Sequence, residues 1–305
     1  MARLSSPTTE DLRGLMTALV TPFHGAAVDW PRLNALVDRQ MDAGADWLVP
    51  CGTTGETPTL TSSEYQQIVE TVIARASGRC PVLVGTGANS TTEAIRRTTY
   101  AESVGADAAL VVTPYYNRPT QEGMYRHFAA IAEATSLPIV LYNVPARTGV
   151  SISNDVVVRL RERCPNVVAI KHATGSVDGV TELLSRCDIV VLSGDDALTW
   201  PLMAIGALGV ISVLANLCPE LLRSLVTAAR DGNHLAALQF HQQVHDLAVG
   251  LGRTGPNPLP VKTAMAISGM LEEDFRLPLC PLDDEARAQI ENVLKRHTWL
   301  EHAAT

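Results

Sequence analysis

The sequence predicts an α/β fold, a (β/α)8 TIM barrel with a C-terminal three-helix appendage, and three observations carry that prediction. Eight short, nearly continuous apolar runs stand at residues 15–23, 47–52, 81–87, 108–115, 138–145, 167–174, 189–194 and 210–216, as strands covered on both faces require. Amphipathic stretches of helical period lie between and after them at 30–43, 63–76, 91–104, 121–135, 154–163, 177–186, 197–205 and 219–230. The pieces Ala43-Gly44-Ala45, Val104-Gly105-Ala106 and Ile205-Gly206-Ala207 recur between a helix and the next strand, with glycine supplying a left-handed stop.

Taken in order, the helices open on start signals such as Asp29 ahead of Pro31 and Ser62 two residues ahead of Glu64. Eight consecutive β/α units fit a closed barrel better than a doubly wound sheet. The run Gly85-Thr86-Gly87-Ala88-Asn89-Ser90 begins like a dinucleotide fingerprint, but it lacks the third glycine and follows the third strand. It reads as a barrel loop. Beyond Gly232 the strands stop, and 233–251, 260–270 and 283–301 read as three helices. The expected division is a barrel at 1–232 and a helical appendage at 233–305, joined without a long linker.

Composition narrows the function. The 305 residues are 46% hydrophobic and 18% charged, ordinary for a soluble globular chain. A net charge of −8 with no basic stripe argues against nucleic acid as a partner. No apolar run reaches membrane-span length, and the first ten residues lack the apolar core of a signal peptide, so a cytoplasmic protein with no membrane partner is expected. The six cysteines form no C-x-x-C pair and read as small hydrophobes. His241 and His245 have the spacing of a metal pair, yet no glutamate completes an H-E-x-x-H, and a plain helix face is the reading. No metal site is expected.

The chemistry centres on Val167-Val168-Ala169-Ile170-Lys171, a buried strand that ends on a lysine. Stripping water from an ammonium is costly, so such a group tends to shed its proton and become a nucleophile whose natural electrophile is a ketone. The chain holds only three lysines, Lys171, Lys262 and Lys295, against 21 arginines. By itself Lys171 reads either as an imine-forming amine or as a strand end reaching solvent or a structural carboxylate. Lys262, in Asn257-Pro258-Leu259-Pro260-Val261-Lys262, reads as part of a rigid turn into a helix, far from any strand end.

In a barrel, chemistry gathers at the C-terminal strand ends. There the sequence offers Gly52-Thr53-Thr54-Gly55-Glu56, then Tyr115-Tyr116-Asn117-Arg118, Tyr142 with Arg147, Lys171, Ser193-Gly194-Asp195-Asp196, and Ile211. Each has an innocent reading: a tight turn, a half-buried tyrosine, a surface arginine, a helix cap. Together they supply an amine, a proton shuttle, relaying hydroxyls and a cation for carboxylates, the parts of a Schiff-base enzyme.

These residues resemble a known family along essentially the whole chain. The runs Gly14-Leu15-Met16-Thr17-Ala18, Gly52-Thr53-Thr54-Gly55-Glu56, Tyr142-Asn143-Val144-Pro145 and the Asn257–Lys262 turn are similar to those of the pyruvate-dependent class I aldolases that include dihydrodipicolinate synthase and N-acetylneuraminate lyase. Tyr115 to Gly123 and Pro145-Ala146-Arg147-Thr148-Gly149 look like the synthase branch. The resemblance implies condensation of pyruvate with L-aspartate-4-semialdehyde, without metal or organic cofactor. It implies that Lys171 forms the imine, that Tyr142 shuttles protons with Thr53, and that Tyr116 joins this relay from a neighbouring subunit. It further implies that Thr54 and Ile211, beside Gly194, hold pyruvate, and that Arg147 binds the semialdehyde carboxylate. A homotetramer of tight dimers is implied, as is a lysine effector site at Asn89, Glu93 and Tyr115.

Two departures stand out. His172 takes the place of the glutamate that usually follows the lysine, and Ser62 and Tyr65 stand where the effector site has histidines. Strand alternation turns His172 away from Lys171. A sibling lyase that releases pyruvate from a 2-keto sugar acid or 4-hydroxy-2-oxo acid is the alternative activity, and a non-catalytic keto-acid-binding paralogue the alternative class.

Overall fold

The computed structural model describes residues 12–297. Eight strands, β1 Gly14–Ala18, β2 Trp47–Val49, β3 Leu83–Gly85, β4 Ala108–Val112, β5 Ile139–Asn143, β6 Val167–His172, β7 Val190–Ser193 and β8 Gly209–Ser212, form one parallel sheet. Its order is β2-β1-β8-β7-β6-β5-β4-β3, and a parallel bridge between Leu48 and Val82 joins β2 to β3 and closes the barrel. The alternation of side chains sorts the apolar residues into two cores. Met16, Ala18, Trp47, Val49, Leu83, Leu110, Val140, Ala169, Leu192 and Ile211 pack inside, while Leu15, Leu48, Val84, Ala109, Leu141 and Ile170 pack against the helices.

The helices covering the barrel are α1 Trp30–Asp42, α2 Ser62–Ala76, α3 Thr91–Ser103, α4 Gln121–Glu133, α5 Asn154–Arg163, α6 Val177–Arg186, α7 Thr199–Ala204 and α8 Pro219–Arg230. The first six start on a side chain that accepts a hydrogen bond from a first-turn N–H: Asp29, Thr61, Ser90, Thr120, Ser153 and Ser176. Such a cap contributes about 1 kcal/mol. The cap of α2 is Thr61 in a reciprocal capping box with Glu64, not Ser62 as the spacing suggested. Gly44, Gly105 and Gly206 have φ of +81°, +95° and +113°, the left-handed turns that return the chain to the next strand.

Several strands are shorter than their apolar runs. After Ala18, Leu19 and Val20 remain buried, but the Val20 N–H is taken by the Asn216 side chain at 3.0 Å. Asn216 also donates to the Ala18 carbonyl at 2.7 Å, so one amide replaces ladder bonds at the tops of β1 and β8, where 214–216 form a 3-10 turn. The helices α9 His234–Gly252, α10 Leu259–Ile267 and α11 Asp284–Lys295 follow the barrel. Positions 298–301 of the third expected helix lie outside the described residues. Among the described residues no helix is long and apolar enough to cross a membrane.

Candidate active site

In register, Val112, Tyr142, Lys171 and Leu192 lie side by side across β4 to β7. The period of two that puts Val140 and Ala169 inside the barrel carries Tyr142 and Lys171 inward one step nearer the C-terminal rim. Both are nearly buried, at 7% and 5% exposure, and the lysine Nζ stands 4.4 Å from the centroid of the Tyr142 ring. Gly194 completes the channel around the lysine stem. A Cβ there would lie 3.1 Å from Lys171 Cε and 2.7 Å from Ala173 Cβ, so any larger residue would push the amine aside. Ile211 is fully buried inside the barrel from β8.

Beyond β2 the chain turns through Gly52 into a single 3-10 turn at Thr53–Gly55 and leaves it through Glu56, a non-glycine residue with φ +54°. Thr54 is buried, and its Oγ1 accepts a hydrogen bond from Asn257 Nδ2 at 3.1 Å. The carbonyl of Asn257 accepts from Arg147 Nη2 at 2.8 Å, while its Oδ1 is buried without a partner. One residue from the segment before α10 therefore links the arginine of the β5 loop to the hydroxyl of the β2 loop.

Tyr116 lies outside this group. It is 90% exposed, on a backbone with φ +71°, and Arg118 close by has φ +47°. Two positive-φ residues without glycine mark a loop held in a costly shape. Asn117 Nδ2 fixes it to the Asn89 carbonyl at 2.9 Å. Glu93 is clasped by Arg96 and Arg97 at 2.7 Å each, and the Arg96 guanidinium brings its carboxyl down to about 2. Tyr65 is buried, its hydroxyl donating to the Gly85 carbonyl at 3.1 Å, with Arg97 over its ring. Tyr115 is half-buried.

Three features escaped the sequence reading. Lys262 is fully buried and pairs with Glu56 at 2.6 Å, so the helix residue thought remote from any strand end reaches the β2 loop. A lysine inside the apolar run 259–265 was the available signal. Asn257 lies in the stretch whose prolines read as a rigid turn, which gives no sign of its bonds to Thr54 and Arg147. Of the Asp195-Asp196 pair, only Asp195 caps in the ordinary way; Asp196 is buried and accepts from Ser212 Oγ at 2.5 Å and from the N–H groups of Val213 and Leu214 at 3.0 Å. His172 points outward as alternation requires, against Gly179 and Thr174. His241 packs between Trp200 and His245 in an aromatic row.

A closed barrel with a buried amine over a tyrosine ring at its C-terminal rim, hydroxyls on the β2 loop and a guanidinium at the mouth has the equipment of an imine-forming lyase. The chain belongs to the dihydrodipicolinate synthetase family, whose family model matches residues 11–297. It is 49% identical to the 4-hydroxy-tetrahydrodipicolinate synthase of Thermomicrobium roseum, over 96% of each chain. It is 45% identical to that of Aquifex aeolicus, over 93% of this chain and 97% of the relative. Among solved structures, the synthase of Methylacidiphilum fumariolicum superposes with a TM-score of 0.92 at 44% identity, covering 96% of this chain and 99% of that one. The Acinetobacter baumannii enzyme, solved with pyruvate, superposes at 0.90 with 44% identity, covering 93% and 98%.

Proposed function

We propose that this chain condenses pyruvate with L-aspartate-4-semialdehyde to 4-hydroxy-tetrahydrodipicolinate, the step that opens lysine and diaminopimelate synthesis. The observation that carries the reading is the Lys171 amine, 5% exposed and seated over Tyr142 inside the barrel mouth. Lys171 adds to the ketone of pyruvate, and loss of water gives the imine. The imine draws electrons, so a methyl proton leaves and an enamine forms. Its carbon attacks the aldehyde, making the new C–C bond and a hydroxyl. The amino group of the second substrate then displaces Lys171, closing the ring and returning the free amine.

Tyr142 gives and takes the protons of these steps, relayed through Thr53 and through Tyr116 of a second copy. Exposure of Tyr116 on a strained loop supports that arrangement, since a tyrosine held outward at a cost needs a surface to meet. Thr54, with Ile211 and the side-chain-free backbone of Gly194 beside the lysine stem, receives the pyruvate carboxylate. Arg147, a planar two-pronged donor, receives the carboxylate of the semialdehyde. A homotetramer built from tight dimers fits the family, and a reducing cytoplasm fits the six free cysteines. As an effector site for lysine, Asn89, Glu93 and Tyr115 would have to draw Glu93 away from both guanidiniums.

Replacement Arg147→Ala tests the second substrate. Turnover with the semialdehyde is expected to fall by about a hundredfold or more, while pyruvate still forms a borohydride-trappable imine. Undiminished turnover, or release of pyruvate from a keto sugar acid by the parent enzyme, would assign the site to another substrate.

A further inference from the structure

Lys262 and Glu56 are an ion pair with no access to solvent: both side chains have 0% exposure, and Nζ lies 2.6 Å from Oε1. Nζ also donates to the Asp274 carbonyl at 2.6 Å and stands 4.5 Å and 4.7 Å from the ring centroids of Phe23 and Phe275. The second Glu56 oxygen accepts from the Arg276 N–H at 3.3 Å. Taking two charges out of water is expensive, and an apolar pair of the same volume often stabilises a fold as well or better. Burial pulls the Lys262 ammonium toward its neutral form, with Glu56 opposing. A pair kept under those conditions is best explained by the geometry it imposes.

That geometry belongs to the Thr53-Thr54 turn. Glu56 ends the turn in a left-handed conformation, and its N–H closes onto the Thr53 carbonyl at 3.2 Å. The same C-terminal region holds the loop at two other points: Asn257 at the Thr54 hydroxyl, and Arg276 at the Thr59 carbonyl at 3.1 Å. Thr57 Oγ1 donates to the Gly52 carbonyl at 2.8 Å and Thr21 Oγ1 to the Gly55 carbonyl at 2.7 Å, so the ion pair governs the exit of the turn at Glu56.

We infer that Lys262 is a positioning residue for pyruvate binding: by anchoring Glu56 it sets the orientation in which the β2 loop offers the Thr54 hydroxyl to the substrate carboxylate. This inference rests on the pyruvate reading above. Lys262 touches no substrate and acts through Glu56 and the turn.

The test compares the parent with the double variant Lys262→Met, Glu56→Gln, which removes both charges at little change in volume. Borohydride trapping of the Lys171 adduct is followed by mass spectrometry as pyruvate is varied, alongside the thermal midpoint and kcat. Half-maximal trapping is expected to need about tenfold more pyruvate in the double variant, with yield at saturation kept and kcat changed far less. Thr54→Val should move the midpoint the same way, and adding it to the double variant should produce less than the sum of the two effects. Where that double variant does not fold, the neutral hydrogen-bonding pair Lys262→Gln, Glu56→Gln serves, with the same shift expected, since it leaves neither charge buried without its partner. An unchanged midpoint beside a lowered thermal transition would make the pair structural and overturn the inference alone. Absence of any adduct in the parent would overturn both the inference and the reading beneath it.

Discussion

His172 occupies the outward position directly after Lys171, buried at 5% exposure, with both ring nitrogens 3.4 Å from the single Thr174 hydroxyl. It lines a cavity of about 440 Å3 on the outer side of the barrel with Asn143, Gly179 and Glu182. Burial lowers its pKa from 6.5 to about 4. The unfolded chain therefore binds this proton first as pH falls, and folding stability is lost between pH 6.5 and about 4. Across that window the group costs about 3 kcal/mol. His172→Gln should flatten the pH dependence of the unfolding free energy, measured by urea titration, by about that amount; a pH dependence equal to the parent's would contradict the assignment. The residue scale is also where the sequence was least legible. Alternation places Lys171 inward and His172 outward, and that was readable. What Lys262 meets was not, because its partner Glu56 lies in a loop far away in sequence, and only folding brings the two charges together.

At the scale of elements, the tops of β7 and β8 are tied by one carboxylate. Asp196 is buried, which raises its pKa despite three hydrogen bonds from Ser212, Val213 and Leu214. Replacement Asp196→Ala orphans those donors and is expected to cost about 3 kcal/mol in denaturant unfolding, against about 1 kcal/mol for Ser212→Ala. A loss no greater than that of a surface substitution would show the donors satisfied elsewhere. The eight strands and their helices were legible, because hydrophobic period depends on which faces are covered. Their ends were not. Apolar residues such as Leu19 stay buried after the ladder stops, and Asn216 takes over the backbone groups there. Two adjacent aspartates likewise look alike in sequence, although Asp195 caps a turn and Asp196 joins two strands.

For the whole molecule, the proposed relay draws Tyr116 from a second chain, and Tyr116 stands 90% exposed on its own chain, apart from the Lys171–Tyr142 pair. In a two-fold symmetric dimer each site would combine Lys171 of one chain with Tyr116 of the other. Mixed dimers of Lys171→Ala and Tyr116→Phe chains then contain one wholly native site, and a co-expressed equal mixture should regain roughly a quarter of parental turnover. Activity no higher than that of the two variants alone would place Tyr116 outside the relay. The measurement that bears most directly on the central claim is peptide mass mapping after incubation with pyruvate and borohydride. The account predicts a reduced pyruvyl adduct on Lys171 that Lys171→Ala abolishes. A parent enzyme that turns over substrate yet carries no adduct on Lys171, or carries it on Lys262 or Lys295, would contradict it.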